Sequence, residues 1–290
     1  MIIAILGPTA VGKTKLSIML AKKYQADIIN FDSMQVYKDL DIGTAKVTSD
    51  EMENVRHHLL SFVDIDKTYS VYDYQKDGRR VLDQLLKEGK NVVLVGGTGL
   101  YLKALLYDYK FAEESKVNNY EELSNLELEK RIKSYQKDLS CDFNNRRRMV
   151  RILNKLENNE EISEDGNKLL YSDVVFIGLT TDRSILYDKI NLRVDNMVKN
   201  GLLDEVMKFK EHFATSKALR TGIGYKEFIP YFDNKESIDV VLDNIKKNSR
   251  HYAKRQYTFF NHQFKAVWFN TCYDDFNKTY FEVLEYLKGR

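Results

Sequence analysis

Short apolar runs alternate with amphipathic segments in the first hundred residues of the chain. Residues 2–6 form a compact apolar run that predicts a strand, and the amphipathic segment that ends near Tyr24 predicts a helix. Residues 27–31 are a second short apolar run and predict a second strand. Because strands alternate with helices, the pattern is typical of a parallel sheet with helical crossovers.

The alternation continues up to residue 107. Apolar residues at helical spacing predict a helix over residues 71–87, and Gly89 is placed to end it. Residues 91–95 are almost wholly apolar, which is typical of a strand buried on both faces of its sheet. A glycine-rich turn at residues 96–99 then leads into a helix that is predicted to end at Leu106.

The pattern changes at residue 108. Residues 108–172 are charged and helix-like, without a convincing strand. Strand patterns return at residues 173–179 and 266–269, and long helices are predicted at residues 182–213 and 236–262. We therefore predict an α/β core built from residues 1–107 and 173–290, with a helical insertion domain at residues 108–172. The alternative is one continuous domain with a long helical excursion.

Composition narrows the class of protein. The chain has 290 residues, of which 43% are hydrophobic and 30% are charged, as is ordinary for a globular protein with its own core. Two cysteines, Cys141 and Cys272, exclude a disulfide scaffold and a cysteine-rich zinc module. No apolar run approaches the roughly 20 residues of a membrane span, and the first residues lack the basic segment of a signal peptide. We expect a cytoplasmic monomer with no membrane association.

The distribution of charge is more informative than its sum, which is only +2. Residues 246–265 contain six Lys or Arg, no Asp or Glu, and five aromatic residues. A second basic cluster comprises Arg146, Arg147, Arg148 and Arg151. A single charge run is usually a solvated face, but basic side chains with aromatic planes are also what single-stranded RNA loops require.

The segment GPTAVGKT follows the first predicted strand and precedes the first helix. It fits the phosphate-binding P-loop pattern G-x-x-x-x-G-K-[ST] in the strand–loop–helix context that the pattern needs. Backbone N–H groups and the helix N-terminus bind phosphate, the lysine adds a positive charge, and the Thr14 hydroxyl can reach Mg²⁺ or a phosphate. The predicted diphosphate- or nucleotide-binding residues are Gly7, Pro8, Thr9, Ala10, Val11, Gly12, Lys13 and Thr14. The fold class is therefore α/β, with a P-loop NTPase-like parallel sheet core and a helical insertion.

NTP hydrolases usually carry a magnesium-binding Asp at the end of a later apolar strand. Here the strand at residues 91–95 ends in Gly96 and Gly97, and the nearest strand-end acid is Asp32. Ligands of open parallel sheets collect at the carboxyl ends of strands, so Asp32 is predicted to lie across the same crevice as the P-loop. The alternative is a capping role, for which Asp followed by Ser is well suited.

Several segments resemble the tRNA dimethylallyltransferases, also called tRNA isopentenyltransferases. The resemblance rests on GPTAVGKT, on DSMQVYKDLDIGTAK at residues 32–46 and on LVGGTGLYLKALL at residues 94–106. NNRRRMVRIL at residues 144–153, LRTGIGYKEF at residues 219–228 and KRQYTFF at residues 254–260 extend it over the whole chain. The chain departs from the family at Val47, Arg56 and Phe143, where prolines are usual, which leaves loop conformations and the fit to tRNA open.

The resemblance implies an activity and its reactants. Members of the family transfer a dimethylallyl group from dimethylallyl diphosphate to the exocyclic amine of the adenosine immediately 3′ of the anticodon in tRNA, with Mg²⁺ assistance and release of diphosphate. On this interpretation Asp32 is the general base, Thr14 assists the diphosphate and the metal, and Arg220 contacts the diphosphate. The adenine must also be flipped out of its stack to reach the crevice.

The predicted tRNA contacts combine the resemblance with the two basic clusters. The resemblance implies Asp32, Ser33, Met34, Gln35 and Thr98, and the clusters add Arg147, Arg148, Arg151, Arg250, Lys254 and Arg255. Arg148 and Arg151 share one helical face, and so do Arg250 and Lys254. The two histidines at residues 57–58 have no metal-like spacing and are predicted to be structural.

Two other functions share part of this sequence pattern. A small-molecule or nucleotide kinase would use the P-loop without the hydrolase Asp, but would not need the basic and aromatic segment at residues 246–265. An NTP-switched RNA-binding protein would bind nucleotide and leave the RNA unmodified. Incubation with unmodified tRNA, dimethylallyl diphosphate and magnesium separates these functions from prenyl transfer.

Overall fold

The computed structural model describes residues 1–111, 118, 120–139, 141–159 and 167–289. Six strands form one sheet in the order β3-β2-β4-β1-β5-β6, and every neighbouring pair is parallel. The strands are β1 (Ile2–Leu6), β2 (Asp27–Asn30), β3 (His57–His58), β4 (Val92–Val95), β5 (Val174–Thr180) and β6 (Val267–Asn270).

The α-helices lie between and after these strands. They are α1 (Lys13–Tyr24), α2 (Val71–Lys87), α3 (Gly99–Leu106), α4 (Asn125–Tyr135), α5 (Arg146–Glu157), α6 (Arg183–Lys199), α7 (Leu202–Lys208), α8 (Lys217–Thr221), α9 (Ile229–Phe232), α10 (Ile238–Gln263) and α11 (Phe276–Lys288). Short 3₁₀ turns occupy Lys210–Ala214 and Lys226–Phe228.

Strand β1 lies inside the sheet, between β4 and β5. Ile3 pairs with Val93 of β4 on one side and with Val175 of β5 on the other. All five residues of β1 are buried, which explains why its sequence shows no polar alternation. Because the strands are parallel, the loops that follow β1, β2 and β4 meet at one edge of the sheet, and this edge positions the site.

Two elements differ from the prediction. The helix predicted over residues 182–213 is divided into α6, α7 and a 3₁₀ turn, because Gly201 adopts a φ of 97° between the first two. Strand β3 was not predicted, because two residues are too few to show an alternating pattern. The helix predicted over residues 71–87 is confirmed as α2, and Gly89 follows it with a φ of 72°.

The chain divides into two compact units. One comprises Met1–Tyr107 and Leu170–Arg290, and the other comprises Asp108–Leu169. The second unit has an apolar cluster of its own between α4 and α5, formed by Leu128, Ile132, Met149, Ile152 and Leu153. Within the described ranges, no helix combines the length and the apolar composition needed to cross a membrane.

Candidate active site

The loop between β1 and α1 depends on two glycines. Gly7 has a φ of 138° and Gly12 has a φ of 92°, values that residues with a side chain rarely adopt. A Cβ on Gly7 would also lie only 2.5 Å from the carbonyl oxygen of Leu179. Residues 7–14, here called the phosphate-binding loop, therefore have the backbone that the glycine pattern predicted.

Three carbonyl groups of this loop accept hydrogen bonds from side chains, two of which belong to the segment after β6. Tyr273 donates its hydroxyl to the carbonyl oxygen of Ala10 at 3.1 Å, and the Thr271 hydroxyl donates to that of Val11 at 2.9 Å. The Lys13 ammonium donates to the carbonyl oxygen of Pro8 at 2.7 Å. These bonds occupy carbonyl oxygens, which would otherwise repel an anionic ligand near the loop.

A cavity of about 1240 Å³ opens at this edge of the sheet. Its wall includes Thr9, Ala10, Gly12, Lys13 and Thr14 of the phosphate-binding loop, and Asp32 to Gln35 after β2. Gly96 and Gly97 of the 96–99 turn complete this part of the wall. The three loops that follow β1, β2 and β4 thus share one cavity, as their strand-end positions predicted.

The two carboxylate oxygens of Asp32 have different surroundings. Oδ1 accepts from the backbone N–H groups of Met34 at 2.9 Å and Gln35 at 3.4 Å, which is the capping role that the sequence left open. Oδ2 accepts no hydrogen bond from the part of the chain that the structure describes, and Asp32 lines the cavity. The bond to the turn therefore orients the carboxylate and leaves Oδ2 for a ligand.

Ser33 and Thr98, both predicted to contact tRNA, lie side by side. The Thr98 hydroxyl accepts from the backbone N–H of Ser33 and donates to the Ser33 hydroxyl, both at 3.0 Å. Gln35 is engaged as well, because its side-chain amide donates to the carbonyl oxygens of Thr44 at 3.2 Å and Ala45 at 3.4 Å. Hydrogen bonds thus connect residues of two sequence motifs, those at residues 32–46 and 94–106, around Asp32.

Lys13 and Arg193 are half-buried cations that line the cavity with Asp32. Burial and the Arg193 charge together lower the pKa of Lys13 to about 7, against the opposing effect of the Asp32 charge. Burial also lowers the pKa of Arg193, which the Asp32 charge opposes. Two neighbouring positive charges repel each other, and burial removes part of their hydration. Such an arrangement is typical of a site that binds an anion.

Arg193 was missed by the sequence analysis. It lies in the middle of α6, where a charged residue between apolar ones is indistinguishable from a solvated face. Among the described residues its only acceptor is the carbonyl oxygen of Thr44, at 3.1 Å. The signal that could have found it is its helical spacing with Ile190 and Met197, which also line the cavity.

Arg220, which the resemblance assigned to the diphosphate, has a different position. It lies in the last turn of α8 and its side chain is exposed. The adjacent Thr221 and Gly222 line the cavity, but Arg220 does not. Its assignment stays a prediction.

The three basic residues predicted on α10 differ in their contacts. Arg250 is half-buried, donates to the Asn191 side chain at 2.6 Å and lies 5.9 Å from the centre of the Tyr187 ring. Lys254 and Arg255 are exposed. Arg250 is therefore engaged by α6, and the tRNA contacts of Arg250, Lys254 and Arg255 stay predictions.

In the second unit, the basic cluster lies on α5. Arg147, Arg148 and Arg151 are exposed, and Arg151 donates to the Tyr109 hydroxyl at 3.1 Å. Arg146 instead donates to the carbonyl oxygens of Tyr120 and Leu123, each at 2.6 Å. Arg146 therefore stabilises the unit internally, whereas the tRNA contacts of Arg147, Arg148 and Arg151 stay predictions.

The histidine pair has structural contacts. His58 bonds to the Asp27 carboxylate at 2.8 Å, and His57 bonds to the carbonyl oxygen of Val55 at 2.9 Å. Over the described residues, no cluster of His, Cys, Asp and Glu has three members able to hold a metal ion.

The parallel sheet, the phosphate-binding loop and the cavity beside it, which Asp32 also lines, define a P-loop protein. The IPP transferase family model matches residues 35–263. The chain is 42% identical to a tRNA dimethylallyltransferase of Bacillus mycoides, over 99% of this chain and 94% of the relative. It is 40% identical to one of Enterococcus faecalis, over 100% of this chain and 98% of the relative. The chain therefore belongs to the IPP transferase family.

Solved structures agree with this membership. The tRNA isopentenylpyrophosphate transferase of Bacillus halodurans is 36% identical with a TM-score of 0.78, covering 99% of this chain and 95% of that chain. The enzyme of Staphylococcus epidermidis is 34% identical with a TM-score of 0.76, covering 100% of this chain and 99% of that chain. A eukaryotic dimethylallyltransferase acting on tRNA is 25% identical with a TM-score of 0.83, covering 100% of this chain and 80% of that chain.

Proposed function

We propose that this protein transfers a dimethylallyl group from dimethylallyl diphosphate to the exocyclic amine of the adenosine immediately 3′ of the anticodon in tRNA, and releases diphosphate. One observation carries the proposal: the phosphate-binding loop and Asp32 line the same cavity. A leaving diphosphate and a proton acceptor are the two groups that transfer of an allyl group to an amine needs.

Asp32 acts on the nucleophile. The amine of adenine is weakly nucleophilic because its lone pair is delocalised into the ring, so a carboxylate within hydrogen-bond reach both orients it and accepts its proton. The nitrogen forms a bond to the allylic carbon while the bond from that carbon to the diphosphate oxygen breaks. The proton released by the amine moves to Asp32 Oδ2, since Oδ1 is bonded to the backbone of the turn.

Lys13, Thr14 and Arg193 act on the leaving group. As the carbon–oxygen bond breaks, negative charge develops on the diphosphate, and cations fixed beforehand stabilise that charge more than the ground state. Lys13 and Arg193 line the cavity, and both lose water contact there. In the free protein the negative charge of Asp32 acts on both cations. The diphosphate would add further negative charge beside Lys13 and Arg193.

Magnesium fits this site in one particular way. Mg²⁺ keeps several waters and is commonly bound through one or two protein oxygens together with substrate phosphates. The Thr14 hydroxyl is the residue that would hold it, which agrees with the small number of potential metal ligands in the described structure. When bound, the ion would add positive charge to the departing diphosphate.

The tRNA contacts form two groups in this proposal. Ser33, Met34, Gln35 and Thr98 receive the flipped adenosine and its neighbours beside Asp32. The exposed residues Lys254 and Arg255 on α10 and Arg147, Arg148 and Arg151 on α5 contact the anticodon stem-loop, the latter three as part of a helical unit that clamps it. The protein acts as a cytoplasmic monomer.

The test is incubation with unmodified tRNA, dimethylallyl diphosphate and Mg²⁺, followed by mass analysis of the nucleosides. We expect a gain of one prenyl group on one adenosine. Asp32→Ala should fold normally and transfer about 100- to 10,000-fold more slowly in a single turnover. A decrease below about tenfold would remove Asp32 from the role of base. Consumption of ATP with a small metabolite and unmodified tRNA would indicate a kinase instead.

A further inference from the structure

Gln256 is a buried amide whose two ends bond to different loops of the site. It lies on α10 with 5% of its surface exposed. Its Oε1 accepts from the backbone N–H of Thr9 at 2.9 Å, and its Nε2 donates to the carbonyl oxygen of Gly97 at 2.9 Å. A buried side chain with a donor and an acceptor both engaged has one favoured orientation, because turning it would leave polar groups unpaired.

The Gly97 end of this bridge touches the carboxylate of Asp32. A Cβ on Gly97 would lie 2.6 Å from Gln256 Nε2 and 2.7 Å from Asp32 Oδ2, so both atoms pack against the same backbone position. Tyr252, one helical turn before Gln256, also donates to the Gly97 carbonyl oxygen, at 3.1 Å. Helix α10 therefore fixes the peptide against which the free oxygen of Asp32 rests.

The Thr9 end of the bridge lies in the phosphate-binding loop. Because Gln256 occupies the N–H of Thr9, that amide contributes to the shape of the loop. Thr9 also lines the cavity, next to the residues proposed to hold the diphosphate. The Gln256 side chain thus links the phosphate-binding loop, which is proposed to hold the leaving group, to the 96–99 turn beside Asp32.

We propose that Gln256 is a positioning residue, which fixes the phosphate-binding loop and the 96–99 turn relative to each other and so sets the separation between the diphosphate and Asp32. The proposal rests on the proposed function for its catalytic consequence. Its structural part, the coupling of the two loops, is independent of the reaction.

Replacing Gln256 should therefore lower the rate of prenyl transfer more than it lowers the affinity for tRNA or dimethylallyl diphosphate. Reacting atoms must lie about 3–3.5 Å apart, and a displacement of about 1 Å costs about 100-fold in rate. Gln256 uses both ends of its amide on the protein, so each substrate keeps its own contacts when the amide is replaced. The phosphate-binding loop and the 96–99 turn, however, are no longer held together by the two hydrogen bonds of Gln256.

The kinetic test compares three variants. Gln256→Met removes both hydrogen bonds at similar size. Gln256→Glu keeps an acceptor for Thr9 and replaces the donor to Gly97 by a carboxylate oxygen. Gln263→Met is the control at an exposed position of the same helix. We expect single-turnover transfer to fall about 10- to 100-fold in both Gln256 variants, with the dissociation constants of tRNA and dimethylallyl diphosphate within about threefold of the parent. Gln263→Met should match the parent. A parent-like rate in folded Gln256→Met, or loss of affinity alone, would overturn the proposal.

Hydrogen exchange tests the coupling without any reaction. Inorganic diphosphate with Mg²⁺ should slow amide exchange in the phosphate-binding loop and in the 96–99 turn of the parent. In Gln256→Met the loop should still respond, but the turn should not. If both segments respond equally in the variant, Gln256 does not couple them. If the parent transfers no prenyl group, the proposed function fails, and the exchange result still decides whether the two loops are coupled.

Discussion

Lys13 and Arg193 line the same cavity as Asp32, whose negative charge acts on both of them. Burial and the neighbouring positive charge bring the pKa of Lys13 to about 7, far below the ordinary value of a lysine. In the free protein the lysine therefore loses its proton as the pH rises above about 7. An anionic ligand would favour the charged form again and return the proton.

Diphosphate binding is therefore predicted to take up protons at slightly alkaline pH. At about pH 8, calorimetry in buffers of different ionisation enthalpy should show close to one more proton taken up by the parent than by Lys13→Ala. Affinity of the parent should also fall, relative to that variant, as the pH rises through about 7. Lys199→Ala, which changes an exposed lysine outside the cavity wall, is the control and should keep the uptake. Equal uptake by the parent and Lys13→Ala would contradict the prediction.

The two candidate arginines can be compared with the same substitution. Arg193 lines the cavity, whereas Arg220 is exposed and lies outside its wall. We expect Arg193→Gln to weaken binding of inorganic diphosphate about tenfold or more, as loss of a charged hydrogen bond does, and to leave tRNA binding unchanged. Arg220→Gln should have a smaller effect on the same titration. An equal or larger effect at Arg220 would mean that α8 carries a diphosphate ligand, as the resemblance implies.

At the scale of elements, the arginines of α5 differ in whether they bond within the protein or are exposed. Asn145 caps the helix by accepting from the backbone N–H of Arg148, and the apolar residues Met149 and Leu153 pack into the cluster shared with α4. Arg146 is held by carbonyl oxygens of the preceding segment. The packing therefore directs the remaining arginines outward, where phosphates can reach them.

Removing these charges should change the salt dependence of tRNA binding. Each phosphate contact adds about 0.7–0.9 to the slope of log affinity against log salt, so Arg148→Ala with Arg151→Ala should reduce the slope by about 1 to 2. Diphosphate affinity should not change. Lys130→Ala with Lys137→Ala removes the same charge from other exposed residues of this unit and is the control. A slope identical to that of the parent would exclude the clamp, even if the enzyme transfers a prenyl group.

At the scale of the whole molecule, Glu205 joins segments that are distant in sequence. Its carboxylate accepts from the backbone N–H groups of Asp41 at 2.9 Å, Ile42 at 2.7 Å and Gly43 at 2.9 Å. It also accepts from the Tyr225 hydroxyl at 2.7 Å. The DIGTAK segment that begins at Asp41, whose Thr44 and Ala45 line the cavity, is thereby attached to α7 and to the turn after α8.

Loss of this carboxylate should destabilise the protein. Glu205→Ala leaves four donors without an acceptor, and we expect the free energy of unfolding to fall by about 2–3 kcal/mol. Tyr225→Phe removes one of the four bonds and should cost about 1 kcal/mol. Denaturant unfolding followed by the fluorescence of Trp268, the only tryptophan of the chain, measures both. A change below about 0.5 kcal/mol in Glu205→Ala would show that the bonds are not needed.

The sequence by itself determined the elements whose physics is local. Glycine permits the positive φ values found at Gly7 and Gly12, the apolar run at residues 2–6 predicted a strand, and the apolar spacing at residues 71–87 predicted α2. The order of strands and helices then implied a parallel sheet, and the sheet implied that Asp32 would reach the edge where the loop lies. The candidate base was therefore available from sequence.

Only the tertiary structure decided which side chains complete the cavity. Arg193 lies 161 positions after Asp32, and Gln256 lies 247 positions after Thr9, so no local pattern connects either residue to the site. The two oxygens of Asp32 also have different surroundings, because Oδ1 bonds to the turn after β2 and Oδ2 packs against Gly97. These two segments belong to different motifs. Burial and hydrogen bonding are properties of the packed chain, and a charged or amide side chain on a helix shows neither until its neighbours from distant segments are in place.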